Sequence, residues 1–163
     1  MKRRLFVLTA IGATLLGSGL HFLYEALPNP LTALISPVNE SVWEHLKLLY
    51  FPMLPGAFLL SRFTKEKYRL WSGFFFAILC MPPVLTGLYY LLKGGFGVES
   101  LVVDIALYAL TMLGGFALAY RLFLSGAVEK WTGIFLMLVI LYGASLLLFT
   151  FCAPNLPIFL SPQ

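Results

Sequence analysis

Residues 131–151 read WTGIFLMLVILYGASLLLFTF, an apolar run from Trp131 to Phe151 with no charged side chain. A helix needs about 20 such residues to cross the hydrocarbon of a bilayer. The run therefore reads as a membrane span, and the rest of the chain agrees with it. Of its 163 residues, 60% are hydrophobic and 11% charged, against about 25% charged in ordinary soluble domains. The surplus apolar surface has to face lipid, so the lipid bilayer is the first partner implied. The expectation is an all-α integral membrane protein, a single transmembrane domain over residues 1–163. Its five spans lie near residues 5–27, 39–63, 70–92, 99–124 and 131–151, which leaves no room for a separate soluble domain.

Working outward, the fourth span carries Asp104 near its start and the small-residue packing pair Gly115-xxx-Ala119. The third has Pro82 and Pro83 at its centre, and the second has Pro52 and Pro55. Each proline removes a backbone donor, so helices 2 and 3 are expected to be proline-kinked. The basic start Met1-Lys2-Arg3-Arg4 before an apolar run also fits a secretory signal. The length of the run, the lack of an A-x-A site and the presence of His21 and Glu25 favour a retained first helix.

Charge then sets orientation. Lys2, Arg3 and Arg4, then Arg62, Lys65, Lys67 and Arg69, then Arg121 and Lys130 all fall on one side of a five-span chain. Lys47 and Lys93 fall on the other. The positive-inside rule makes the N-terminus cytoplasmic and the C-terminus external. The net charge of +4 is thereby absorbed, and nucleic-acid binding has no support. Cys80 and Cys152 fall at different depths and read as small apolar fillers, not a bridge. No internal repeat is visible. An odd number of spans does not divide into inverted halves unless two copies pair as a homodimer.

The densest polar run is Ser36-Pro37-Val38-Asn39-Glu40-Ser41-Val42-Trp43-Glu44-His45-Leu46-Lys47. Ser36 followed by Pro37 has the pattern of a helix N-cap and first helical residue, with Asn39 as a competing cap. Helical phase places Glu40, Glu44 and Lys47 near one line, and Ser41, His45 and Leu48 near a neighbouring one. Lys47 lies one turn from Glu44 and can neutralise it. On the first helix, His21 and Glu25 share a face at i, i+4. On the third and fourth, Tyr89 and then Asp104 and Tyr108 continue polar lines through the outer half. Tyr142 and Ser145 do so on the fifth. Ionisable groups inside a span cost several kcal/mol unless they pair or line water. Together these lines predict a ligand-binding pocket open outward, lined by His21, Glu25, Asn39, Glu40, Glu44, His45, Lys47, Tyr89, Asp104 and Tyr108.

Two imidazoles among carboxylates suit a divalent metal ion such as zinc, with His21, Glu25, Glu44 and His45 as candidate ligands. Adjacent helical residues point about 100° apart, so Glu44 and His45 do not both serve one ion, and the set reads as His21 and Glu25 with either Glu40/Glu44 or His45. Such an ion would support a membrane-embedded hydrolase acting on a lipid or peptide. Without a metal, the pocket suits a cationic ligand or proton transfer. A third alternative is a structural or partner-docking protein with no ligand. Signatures of catalytic nucleophiles and phosphate-binding glycine loops are absent.

The segment PVNESVWEHLK (Pro37 to Lys47), preceded by His21-Phe22-Leu23-Tyr24-Glu25, resembles an uncharacterised family of small bacterial integral membrane proteins, classed as a domain of unknown function. The resemblance implies a multi-pass protein of the bacterial plasma membrane. It brings no activity, cofactor or assigned site.

Overall fold

The computed structural model describes residues 3–161. Lys2, counted above with the basic residues, lies outside them. Among the described residues every regular element is helical. Helices α1 (Arg3–His21), α2 (Leu23–Ala26) and α3 (Pro30–Ile35) are followed by α4 (Val42–His45) and α5 (Lys47–Ser61). Then come α6 (Lys67–Tyr90), α7 (Leu101–Ser125) and α8 (Thr132–Phe151). A π-helical turn, Leu91–Gly95, extends α6, and a 3-10 turn, Glu129–Trp131, leads into α8.

Among the described residues, four helices are long and apolar enough to cross a membrane: Arg3–His21, Lys67–Gly95, Leu101–Ser125 and Glu129–Phe151. The expected span over 39–63 resolves into α4 and α5, joined through Leu46, whose N–H donates to the Trp43 carbonyl at 3.1 Å. Helices α5 and α6 both run through their prolines, Pro52 and Pro55 in the first, Pro82 and Pro83 in the second.

Two boundaries differ from the sequence expectation, each for a local reason. The first helix stops at His21 instead of continuing to residue 27. Ser36 Oγ accepts from the Tyr24 N–H at 3.0 Å and donates to the Leu20 carbonyl at 2.6 Å. An uninterrupted helix would pair those two backbone groups with each other, so the inserted hydroxyl ends it. Nor does Ser36 start a helix; it is the C-cap of α3, and the chain around Pro37 is not helical. The α4 N-cap is Ser41, whose Oγ accepts from the Glu44 N–H at 3.3 Å, while Asn39 Oδ1 accepts from Ser41 N–H at 2.9 Å. A capping box of Asn29 and Thr32 with Pro30 after it starts α3.

The core runs along the shared axis of α1, α5, α6, α7 and α8. Met53, Ala57, Leu60, Phe74, Ala77, Ile78, Met112, Ala119 and Leu146 are fully or almost fully buried. Close contact between α6 and α7 depends on small residues. A Cβ on Gly73 would stand 2.8 Å from the Ala119 carbonyl oxygen, and Gly115 lies directly against the Met81 side chain. The outer faces are apolar: Leu8, Leu15, Leu110, Ile134, Met137, Ile140 and Leu148 are all exposed.

The two ends of the bundle carry different polar groups. At one end the α5–α6 turn meets the α7–α8 link: Arg69 pairs with Glu66 at 2.8 Å, lies 3.9 Å from Glu129 and donates to the Leu124 carbonyl at 3.2 Å. Phe6, near the start of α1, stacks on Phe74 and packs at a tilt against Tyr120 toward that end. At the other end are the C-terminus of α1, the 36–47 segment and the end of α8. Both cysteines are free, Cys80 half-buried and Cys152 exposed.

Candidate metal centre

The helix α4 is only one turn long, and polar clusters lie on either side of it. The first joins the end of α1, the bend before α4 and the end of α4. His21 Nε2 and His45 Nε2 are 3.0 Å apart. Glu40 Oε2 lies 3.4 Å from His45 Nε2 and 3.8 Å from His21 Nε2. Among the described residues these three form the group whose donor atoms converge within ligand distance.

Local geometry fixes how His45 presents its ring. Its Nδ1 is 2.8 Å from the Ser41 carbonyl oxygen, which only accepts, so Nδ1 carries the proton. The lone pair of neutral His45 therefore lies on Nε2, facing His21 and Glu40. A backbone carbonyl on the far nitrogen is the usual support of a metal-bound imidazole. His21 is less constrained. Its Nδ1 is buried without a partner among the described residues, and its ring rests against Phe22. Donors of a tetrahedral zinc site sit about 3.3 Å apart, given bond lengths of about 2.0–2.1 Å. The observed spacings of 3.0, 3.4 and 3.8 Å bracket that value. Glu40 is 67% exposed and the histidines 31% and 27%, so the cluster lies open to the outside of the bundle.

The second cluster is closed. Lys47 Nζ donates to Glu44 Oε2 at 2.7 Å, to the Ala33 carbonyl at 2.7 Å and to the Ser36 carbonyl at 3.3 Å. An ammonium has three N–H donors, and all three are used. Glu44 Oε2 also accepts from Val38 N–H at 3.0 Å, and Thr150 Oγ lies 3.0 Å from Glu44 Oε1. The same hydroxyl is 2.9 Å from the Leu146 carbonyl; its one proton favours the carboxylate as the stronger acceptor. Side-chain exposure is 0% for Lys47 and 3% for Glu44. Such a pair survives burial because all three ammonium donors and both carboxylate oxygens have partners.

The predicted pocket residues are thus divided among separate places. His21, Glu40 and His45 come together. Glu44 and Lys47 face the other way into the closed cluster, and Asn39 caps the turn between. Glu25 lies beyond the break after α1 and is exposed, outside the converging group. Of the candidate ligands His21, Glu25, Glu44 and His45, the two histidines converge, and the carboxylate that converges with them is Glu40. Asp104 pairs with Lys93 at 3.9 Å, and Lys93 lies over the Tyr89 ring. Tyr108 donates to the Thr14 carbonyl at 3.0 Å and packs against Gly17, below His21 on α1. Two grooves on the bundle wall are apolar: one of about 320 Å³ between α1 and α5, one of about 290 Å³ between α6 and α7. Ser36, Ser41 and Thr150 were not anticipated as site residues. Ser36 and Ser41 lie within the polar run, and nothing in the sequence connects Thr150 to Glu44.

Fold and site together define a helical bundle with membrane-length apolar helices and a three-donor His/Glu group at one end. The chain belongs to the family of unknown function DUF6512, which matches residues 2–162. No curated protein and no solved structure matches it.

Proposed function

We propose that this chain is a multi-pass protein of the bacterial plasma membrane that binds a divalent transition-metal ion, of the zinc class, between His21, Glu40 and His45 at its outer boundary. The observation that carries the reading is the convergence of three donors from three segments, at spacings of 3.0, 3.4 and 3.8 Å. Nitrogen and carboxylate donors at such distances suit zinc and its neighbours better than calcium or magnesium, which prefer all-oxygen shells.

The spans in this reading are the four membrane-length helices plus α4–α5. Val42 to Ser61 rises about 30 Å, which matches the hydrocarbon thickness. Five spans put Arg3, Arg4, Arg62, Lys65, Lys67, Arg69, Arg121 and Lys130 on one side. That side is cytoplasmic by the positive-inside rule, and the metal site is then external.

One observation favours a second reading, metal-dependent hydrolysis of a lipid or peptide. Three protein ligands leave a tetrahedral ion one open position, the arrangement found in catalytic zinc sites, where a bound water becomes the nucleophile.

Elemental analysis of the purified full-length chain tests the first reading. One transition ion per chain is expected, lost in His21→Ala and in His45→Ala. Metal-free wild type that zinc, cobalt and manganese all fail to stabilise would leave the cluster as a structural device. Zinc-dependent release of product from fluorogenic ester or peptide substrates, abolished by the same substitutions, would support hydrolysis.

A further inference from the structure

Resting on the metal reading above, we infer that the buried Glu44–Lys47 pair, acting with Ser36, positions all three ligands of the metal site without touching the ion. From Lys47 one line of bonds runs to His21. Lys47 Nζ holds the Ser36 carbonyl, and Ser36 Oγ bridges Leu20 and Tyr24, which flank His21 in the chain. That bridge also ends α1 at His21, and so fixes where the imidazole leaves the helix.

From Glu44 another line runs to the remaining two ligands. Its carboxylate holds the Val38 N–H, and its backbone N–H is held by Ser41 Oγ. Glu40 lies between Val38 and Ser41, in a turn also tied by Asn39. Ser41 in turn offers its carbonyl to His45 Nδ1, which orients the second imidazole. The ion pair is thus tied to both halves of the site, through Ser36 to the backbone around His21 and through Val38 and Ser41 to the backbone of Glu40 and His45.

A pair that served the fold alone would change stability and leave coordination geometry untouched. A positioning pair changes the geometry even when the fold is kept. The test uses the full-length protein in lipid nanodiscs, with zinc affinity from competition titration and the visible spectrum of bound cobalt as readouts. The double variant Glu44→Gln/Lys47→Met removes both charges together, which folded proteins tolerate far better than loss of one. It should still unfold cooperatively, with zinc affinity lowered about 10-fold or more and an altered cobalt spectrum. Ser36→Ala cuts only the line to His21 and should lower affinity by a smaller factor, roughly 3–10-fold. Lys93→Met breaks the pair with Asp104, which lies on neither line of bonds, and should change neither readout.

A folded double variant with wild-type affinity and an unchanged cobalt spectrum would overturn the inference while leaving the metal site standing. So would a loss of affinity in Lys93→Met equal to that in the double variant. If the double variant does not fold, Ser36→Ala decides, and unchanged affinity and spectrum there overturn the inference. Wild type that binds neither zinc nor cobalt overturns the metal reading itself, and the inference with it.

Discussion

Glu44 and His45 are neighbours in the chain, yet they belong to regions that differ in how far their bonding capacity is used. Around Glu44 every donor is matched: the Lys47 ammonium has three acceptors, and the carboxylate receives from Lys47, Val38 and Thr150. Around His45, two imidazoles and a carboxylate face one another with lone pairs to spare, and Glu40 is mostly exposed. A saturated polar cluster has nothing to offer a ligand and acts as structure. An unsaturated cluster at the surface has capacity left for an ion or a proton. Burial alone would have misled, because the more deeply buried charges are the ones already committed.

The largest expected effect comes from breaking the saturated side by halves. Lys47→Met leaves Glu44 charged and buried without its cation and should destabilise the protein by about 3–5 kcal/mol in reversible unfolding. A loss below about 1 kcal/mol would mean that the closed cluster is wetter than its exposure indicates. Next comes the unsaturated side. His45→Ala should weaken zinc binding at least 100-fold, while unfolding stays within about 1 kcal/mol of wild type. Titration and thermal denaturation of the same preparation separate the two quantities, and a large stability loss without zinc binding would erase the contrast.

A smaller change sharpens the comparison from the α8 side. Thr150→Val keeps the shape of the side chain and removes its hydroxyl from Glu44, for a cost of about 1 kcal/mol and no more than a slight change in zinc affinity. The smallest effect is expected at Glu25→Gln, with stability within about 0.5 kcal/mol of wild type and unchanged zinc affinity. Loss of the ion in that variant would bring Glu25 back as a ligand in place of Glu40.

The membrane-length helices were legible because an apolar run of that length has few other uses. The spans expected near 99–124 and 131–151 lie within two residues of α7 (Leu101–Ser125) and α8 (Thr132–Phe151). The break after His21 was not legible, because it depends on the Ser36 hydroxyl arriving from 15 residues later in the chain. In sequence, Ser36-Pro37 has the form of a helix start, and that reading put Glu40 inside a helix and in line with Glu44. Ser41 is the actual cap, so Glu40 precedes the helix and its carboxylate reaches back to His45. Local helical geometry did separate Glu44 from His45, since a 100° step depends on nothing distant. The contact of Glu44 with Thr150 spans 106 residues, and no local pattern encodes it.

Chain order adds a time axis to that contact. Ala33, Ser36, Val38 and Lys47 all leave the ribosome close to Glu44, so the charge can be neutralised by neighbours before Thr150 is made. Thr150 arrives 106 residues later, together with Phe149 and Phe159, whose rings pack on Trp43 at 5.5 and 4.9 Å. The α3–α4 segment is therefore expected to be self-sufficient in charge before α8 is made but uncovered on one face until α8 docks. Closure of this end of the bundle waits for α8, whose Thr150 is made 106 residues after Glu44.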